Sequence, residues 1–322
     1  MTEFDLIRRY FTHAAPSALL GIGDDAALLQ ASAGNVLAVS TDMLVCGTHF
    51  LSDADPGMLG YKTLAVNLSD MAAMGAAPRW AVLAIALPRK DGGGADEAWL
   101  ERFSAGFFAL ADQFGVELVG GDTTRGPLNI CVTIFGEVPA RQALRRAGAR
   151  IGDEIWVSGF LGDAALALAH LKDNAVLTAD EFASCAPALH RPQPRVALGI
   201  ALRGIANSAI DVSDGLLGDL GHILDASQVA AEVNFAQLPV SAALSTYLQE
   251  PWARQCALSG GDDYELCFTS PVMSRAEILK IGTRLGLPLA CIGKIVPGRG
   301  CVVHDASGNI MDVEAGGYDH FR

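Results

Sequence analysis

The sequence predicts two α/β domains, with a boundary near residue 140. Three observations lead there. At 322 residues the chain is about twice the size of one typical compact domain. Apolar runs of buried-strand type alternate with segments whose apolar residues recur at helical spacing, and they do so in both halves. After Pro139 the stretch ARQALRRAGARIGD turns locally basic and poor in large apolar residues, as a boundary between two cores would. The expected domains are residues 1–140 and 141–322.

In the first half, VLAVST (36–41) reads as a strand. Tyr61, Leu64, Ala65, Leu68 and Ala72 then predict a helix over 57–75. WAVLAIALP (80–88) is a second strand. A second helix lies in DEAWLERFSAGFFALADQFG, where Trp99, Phe103, Phe107 and Leu110 repeat at helical spacing, and LNICVTIFGEV (128–138) is another strand. Beyond the boundary the strand candidates are EIWVSG, SAIDVS, AAEVNF, YELCFT and LACIGKIV. Helices are expected at 162–172, 195–203, 215–227 and 273–286. HRPQPRV is a loop, since each proline biases the residue before it away from helix. No tandem repeat or low-complexity segment is visible.

Hydrophobic residues make up 51% of the chain, enough for a sizeable core in each domain. The 36 acids against 23 bases, net −13, argue against a nucleic-acid backbone or an anionic membrane as the main partner. An anionic small substrate remains compatible if it arrives with metal ions, and clustered Asp supplies the hard oxygen donors that Mg²⁺ prefers. Seven cysteines, an odd number without a Cys-x-x-Cys pair, suit small buried side chains in a reducing cytosol. MTEFDLIRRYF is unlike a signal peptide, and no apolar run approaches the roughly 20 residues of a membrane span. A cytoplasmic location is expected.

The acids recur at the edges of apolar segments. GIGDDAALL (21–29) sets Asp24 and Asp25 side by side beside a run that reads as buried, with no Lys or Arg close in sequence, so a counter-cation is expected. VLAVSTDM ends its strand on Ser40, Thr41 and Asp42, where α/β domains display ligand groups, although a plain cap or turn has the same look. Asp70 follows Asn67 by one helical turn on a helix whose opposite face is apolar, which suits either a packed polar pair or a solvated face. GGDTTRGP (120–127) looks like a phosphate loop without the Walker Lys-Ser/Thr. Its glycines allow close backbone approach, while Asp122 repels bare phosphate, a conflict that metal-bridged phosphate resolves and a simple turn avoids. In AIDVSDGLLGDLGHIL, Asp211 and Ser213 share a strand face. Asp214 then precedes a helix striped by Leu216, Leu217, Leu220, Ile223 and Leu224, whose free amides suit phosphate oxygens unless Ser213 or Asp214 is an N-cap. His49 follows in CGTHF. No nucleophile has an adjacent base, so covalent hydrolase chemistry has no support.

These motifs, with YKTLAVNLSDMAAMGAAP, SGGDDYELCF and GYDHF, run in one order through nearly the whole chain. The set resembles the thiamine-monophosphate kinase family, in the superfamily that includes aminoimidazole ribonucleotide synthetase and selenophosphate synthetase. The resemblance implies an N-terminal sheet that forms the core of a homodimer, with a C-terminal α/β domain folded against it. It also implies ATP-dependent phosphorylation of thiamine monophosphate to thiamine diphosphate, by direct in-line transfer with a Mg²⁺ cluster. Carried over motif by motif, Asp25, Ser40, Thr41, Asp42, Asp70, Asp122, Asp211 and Asp214 are metal ligands. Gly121, Asp122, Arg146 and Ser213 meet ATP, and His49, Asp262 and Tyr318 meet thiamine monophosphate. Family members often read Gly-Gly-Glu-Asp where this chain has Asp262, a carboxylate one methylene shorter. Two rivals stand beside this reading. A selenophosphate synthetase is expected to carry a reactive Cys or selenocysteine near its N-terminus, whereas the first cysteine here is Cys46. A nucleotide sensor without turnover has no need of so many metal anchors.

Overall fold

The computed structural model describes residues 2–89 and 96–313. The chain forms two compact units, Met1–Met71 with Ala76–Arg141 and Ala72–Gly75 with Gln142–Arg322.

The first unit opens with a short helix α1 (Glu3–Leu6) and a π-helical turn at Ile7–Phe11. Then follow β1 (Asn35–Val45), α2 (Pro56–Ala73), β2 (Ala77–Leu87), α3 (Glu97–Phe114), β3 (Glu117–Arg125) and β4 (Asn129–Pro139). The strands order as β1-β4-β2-β3, with β4 antiparallel to both neighbours and β2 parallel to β3. A parallel pair needs a long crossover, and α3 supplies it. Asp96 caps α3 by accepting from the N–H of Ala98 and Trp99, and Gly115 at φ 64 ends it. Backbones of α2 and α3 meet directly: a Cβ on Gly106 would lie 1.9 Å from the Gly57 carbonyl oxygen. One face of the sheet, with Leu44, Leu83, Ile85, Ile130, Val132 and Ile134, is buried, whereas Leu37, Val39 and Met43 on the other face of β1 are exposed.

The second unit runs β5 (Glu154–Ser158), α4 (Asp163–Leu171), α5 (Ala179–His190), α6 (Val196–Ala201), β6 (Ser208–Val212), α7 (Leu216–Ser227), β7 (Ala230–Asn234) and α8 (Ala242–Ser245). It continues with α9 (Pro251–Ser259), β8 (Glu265–Ser270), α10 (Arg275–Leu285), β9 (Leu289–Val296) and β10 (Gly300–His304). Its sheet orders as β10-β7-β9-β5-β8-β6, and only β10 and β7 pair in parallel. Ile155, Val157, Ile210, Val212 and Cys267 pack against Leu216, Leu220, Ile223 and Leu224 of α7. A second core joins Leu166, Cys185, Leu189, Leu244 and Ala257 of the helices α4, α5, α8 and α9. All seven cysteines are free thiols, and no described helix is long and apolar enough to cross a membrane.

Two expectations change. The first strand does not end at Ser40–Asp42 but continues to Val45, because β4 pairs with it as far as Asn129. GGDTTR is not a loop: it lies inside β3, whose pairing with β2 overrides the turn propensity of its glycines. Helices α5 and α9 and strand β10 were not legible, being short or weakly periodic.

Candidate functional site

In the first unit the extension of β1 decides which side chains meet. Ser40 and Asp42, two residues apart, share one face, and Thr41 takes the other. Ser40 donates its hydroxyl hydrogen to Asp70 Oδ2 at 2.5 Å. Near that pair on α2, Asn67 donates Nδ2 to the Thr63 carbonyl (3.0 Å) while its buried Oδ1 has no hydrogen-bond partner. Thr41 Oγ1 instead lies 2.8 Å from Thr133 Oγ1 across the strand pair.

Asp122 is not brought to this group within one chain. Register places Asp42 in a row with Val132, Leu83 and Gly121, and Asp122 in the next row with Ala84, Cys131 and Met43. The two carboxylates therefore leave opposite faces at opposite edges of the sheet, three interstrand steps of about 4.8 Å apart. Gly121, at φ +157, tolerates no side chain, since a Cβ would sit 1.9 Å from the Leu83 carbonyl oxygen.

Asp25 lies on an exposed loop, its N–H held by Asp24 Oδ1 at 2.9 Å. The flanking chain expected to be buried is not: Leu19 is 67% and Leu28 55% exposed. What fixes the loop is its two ends. Glu117 accepts from the N–H and hydroxyl of Ser17, and Glu137 accepts from the N–H of Ser32 and from Asn35 Nδ2. Burial pushes the Glu137 carboxyl up, but the Ser32 and Asn35 donors outweigh it and hold the group below its ordinary value. His49 closes the turn after β1, its Nδ1 accepting from the Val45 N–H at 3.0 Å. The neutral ring consequently carries its proton on Nε2.

In the second unit Asp211 is buried on β6 opposite Leu266. The following turn has a structure the sequence did not suggest. Asp219 Oδ2, one turn into α7, accepts from the N–H groups of Ser213 (3.0 Å), Asp214 (3.0 Å) and Gly215 (3.1 Å). The three amides that lead into the helix are therefore filled by a protein carboxylate and are closed to phosphate oxygens. Burial pushes Asp219 up to about 7 against those donors.

The same turn carries the segment of Asp262. The Asp262 N–H donates to the Ser213 carbonyl and the Tyr264 N–H to the Val212 carbonyl, both at 2.8 Å. Asp262 and Tyr264 sit at φ +70 and +50, an uncommon region for side-chain-bearing residues, and the Tyr264 hydroxyl donates to Asp262 Oδ1 at 3.0 Å. Asp263 turns inward, where both its oxygens accept from the Gly162 N–H. Glu265 takes the hydroxyl of Ser158 and the guanidinium of Arg195. Asp219, Asp263 and Glu265 escaped sequence reasoning, although an acid inside an apolar stripe, as in GLLGDLGHIL, is the available signal. Arg146 is exposed on a loop whose carbonyl accepts from the Ser227 hydroxyl. Tyr318 lies outside the described residues.

Against this geometry stand the known proteins. Family models for the AIR synthase related protein match twice, the N-terminal domain over residues 23–138 and the C-terminal domain over 150–306. Thiamine-monophosphate kinase of Escherichia coli (strain K12) is 48% identical over 99% of this chain and 98% of its own. The chain belongs to the thiamine-monophosphate kinase family. The Bacillus subtilis (strain 168) member is 36% identical over the whole of both chains. Among solved structures, the thiamine-monophosphate kinase of Stenotrophomonas maltophilia K279a superposes with TM-score 0.83 at 50% identity, covering 92% of this chain and 93% of that one. AaThiL complexed with AMPPCP and TMP gives TM-score 0.77 at 31% identity over 99% and 96%.

The donors near Ser40 and Asp70 are all hard oxygens, including the unpartnered Asn67 Oδ1, which suits Mg²⁺ rather than zinc. Among the described residues no three His, Cys, Asp or Glu gather closely enough to hold a metal by themselves.

Proposed function

We propose that the chain transfers the γ-phosphoryl group of ATP directly to the phosphate of thiamine monophosphate, giving thiamine diphosphate and ADP. An acceptor phosphate oxygen forms the new bond to the γ-phosphorus while the bond to the β,γ-bridging oxygen breaks, and the electron pair leaves with ADP. Because that acceptor oxygen is already anionic near neutral pH, no strong general base is required. The observation that carries this reading is the full-length match to a relative that holds AMPPCP and TMP together.

Asp25, Ser40, Thr41, Asp42, Asp70, Asp122, Asp211 and Asp214 are the residues that would hold Mg²⁺. When bound, the ions supply neutralisation of the repulsion between two polyanions. Gly121, Arg146 and Ser213 serve the nucleotide, and His49 serves the substrate phosphate together with Asp262 and Tyr318. No protein nucleophile takes part. We read the active molecule as a homodimer: the apolar face of β1 needs a cover, and Asp122 lies too far from Asp42 within one chain to share its ions.

Incubation with ATP, thiamine monophosphate and Mg²⁺ should yield thiamine diphosphate and ADP in equal amounts, with loss in EDTA and recovery on added Mg²⁺. ADP formation without thiamine diphosphate would reject the acceptor assignment.

A further inference from the structure

The carboxylate of Asp219 performs a task that the proposed reaction leaves unassigned. It is 3% exposed, it lies on an otherwise apolar helix stripe, and one of its oxygens gathers three consecutive backbone N–H groups. Those amides belong to Ser213, Asp214 and Gly215, so the carboxylate fixes the turn by its backbone and leaves the Ser213 hydroxyl and Asp214 carboxylate uncommitted to it. Gly215 reinforces the arrangement: at φ +116, a Cβ there would lie 2.5 Å from the Ser259 carbonyl carbon. Gly261 is equally tight, with 2.7 Å from its would-be Cβ to the Ser213 carbonyl oxygen. The turn and the 259–264 segment therefore touch backbone to backbone and are tied by the Asp262–Ser213 and Tyr264–Val212 hydrogen bonds.

We infer that Asp219 is a positioning residue for phosphoryl transfer, clamping one backbone platform that presents Ser213 and Asp214 to the nucleotide and its metal and Asp262 to the acceptor. The inference rests on the site assignment proposed above for those three residues. Because three donors converge on a single oxygen, the requirement is for an acceptor atom at that point, and an amide oxygen meets it. Removing the acceptor leaves three buried or half-buried amides without their partner and frees the turn to rearrange. The backbone amides themselves do not bind phosphate in the intact protein, since they are already filled. At this turn the Ser213 and Asp214 side chains, rather than those three amides, are left to meet the nucleotide and its metal.

The test compares Asp219→Ala with Asp219→Asn, alongside Asp214→Asn and Ser213→Ala, by steady-state kinetics, melting temperature and amide hydrogen exchange of the ligand-free protein. Asp219→Ala should lower kcat at least tenfold and speed exchange at residues 213–215 at least tenfold. Asp219→Asn should return both to within threefold of the parent, because its side-chain oxygen still accepts. An Asn variant as slow as the Ala variant, or an Ala variant with parental kcat, would overturn the inference. If Asp219→Ala does not fold, Asp219→Ser takes its place and is read by the same criteria, its hydroxyl being too short to serve three donors. The site assignment is judged separately: near-parental kinetics in Asp214→Asn and Ser213→Ala would reject it, whatever the exchange data say about the clamp.

Discussion

The two sheets of this chain are built on different principles. In the first unit, β1 alternates between half-buried and exposed positions, with Val39 56% exposed. In the second, β5, β6 and β8 are buried at every position. Along the strands of the first sheet Ser40 and Asp42 are half-buried and Asp122 is exposed. In the second unit the buried acids around the sheet each take a dedicated donor: backbone amides for Asp219 on α7 and for Asp263 just before β8, a guanidinium for Glu265 on β8. Carboxylates hold backbone in both units, Glu117 and Glu137 in the first and Asp219 and Asp263 in the second, and the acids assigned to ligands are drawn from both as well.

The comparison is sharpest where an acid from each unit is assigned to metal. Asp42→Asn and Asp211→Asn should each reduce kcat by about 10²–10³, with circular dichroism unchanged, since loss of one charge from a phosphate-neutralising site costs about 3–4 kcal/mol. Parental turnover in both would remove the carboxylates from the mechanism. The anchoring acids should fail differently. Glu265→Ala leaves Arg195 without its partner, and breaking such a pair costs about 3–5 kcal/mol. Thermal or urea unfolding should record that loss.

The open face of the first sheet offers a third contrast. Val39→Asp should convert the expected dimer to monomer in sedimentation at micromolar protein while leaving the monomer folded, because the substitution sets a charge on the exposed apolar face of β1 that a dimer would bury. A parent that sediments only as a monomer would break the comparison at its root. At the boundary between anchoring and recruiting, Asp262→Ala should raise KM for thiamine monophosphate several-fold and KM for ATP less. Equal constants with a lowered melting temperature would instead assign Asp262 to the turn, where its contact with the Tyr264 hydroxyl already places it.

The smallest effect concerns pH, and its sign differs between one carboxylate of each unit, Asp163 and Glu137. Burial raises Asp163 above its ordinary 3.8 despite the Ser241 hydroxyl, so the folded state binds that proton more tightly than the unfolded chain. Stability from this group falls as pH rises from 3.8 through the raised value. Glu137 is held below its ordinary 4.5, so its contribution is present above 4.5 and lost as pH falls through the depressed value. Asp163→Asn should flatten the first slope and Glu137→Gln the second in urea midpoints measured from pH 3 to 7.

The sequence by itself determined the alternation of strands and helices and the apolar stripes of α2, α3 and α7. Those features depend on period and composition, which are local. It also carried the family, since GIGDD, STD, NLSD, GGDT, DVSDG and GGDDYEL occur in order. Tertiary pairing alone decided that Gly120, Gly121 and Asp122 form part of a strand, because β2 supplies hydrogen bonds that glycine propensity does not anticipate. It likewise decided that Ser40 meets Asp70, with Asp42 on the same face of β1 and Thr41 on the other, since β4 carries β1 past the point where its apolar run stops. The filled amides of Ser213, Asp214 and Gly215 could not be read at all. Their occupant, Asp219, is only a few residues away in sequence, but whether its side chain turns back to the helix start or out to solvent is settled by the packing that buries it.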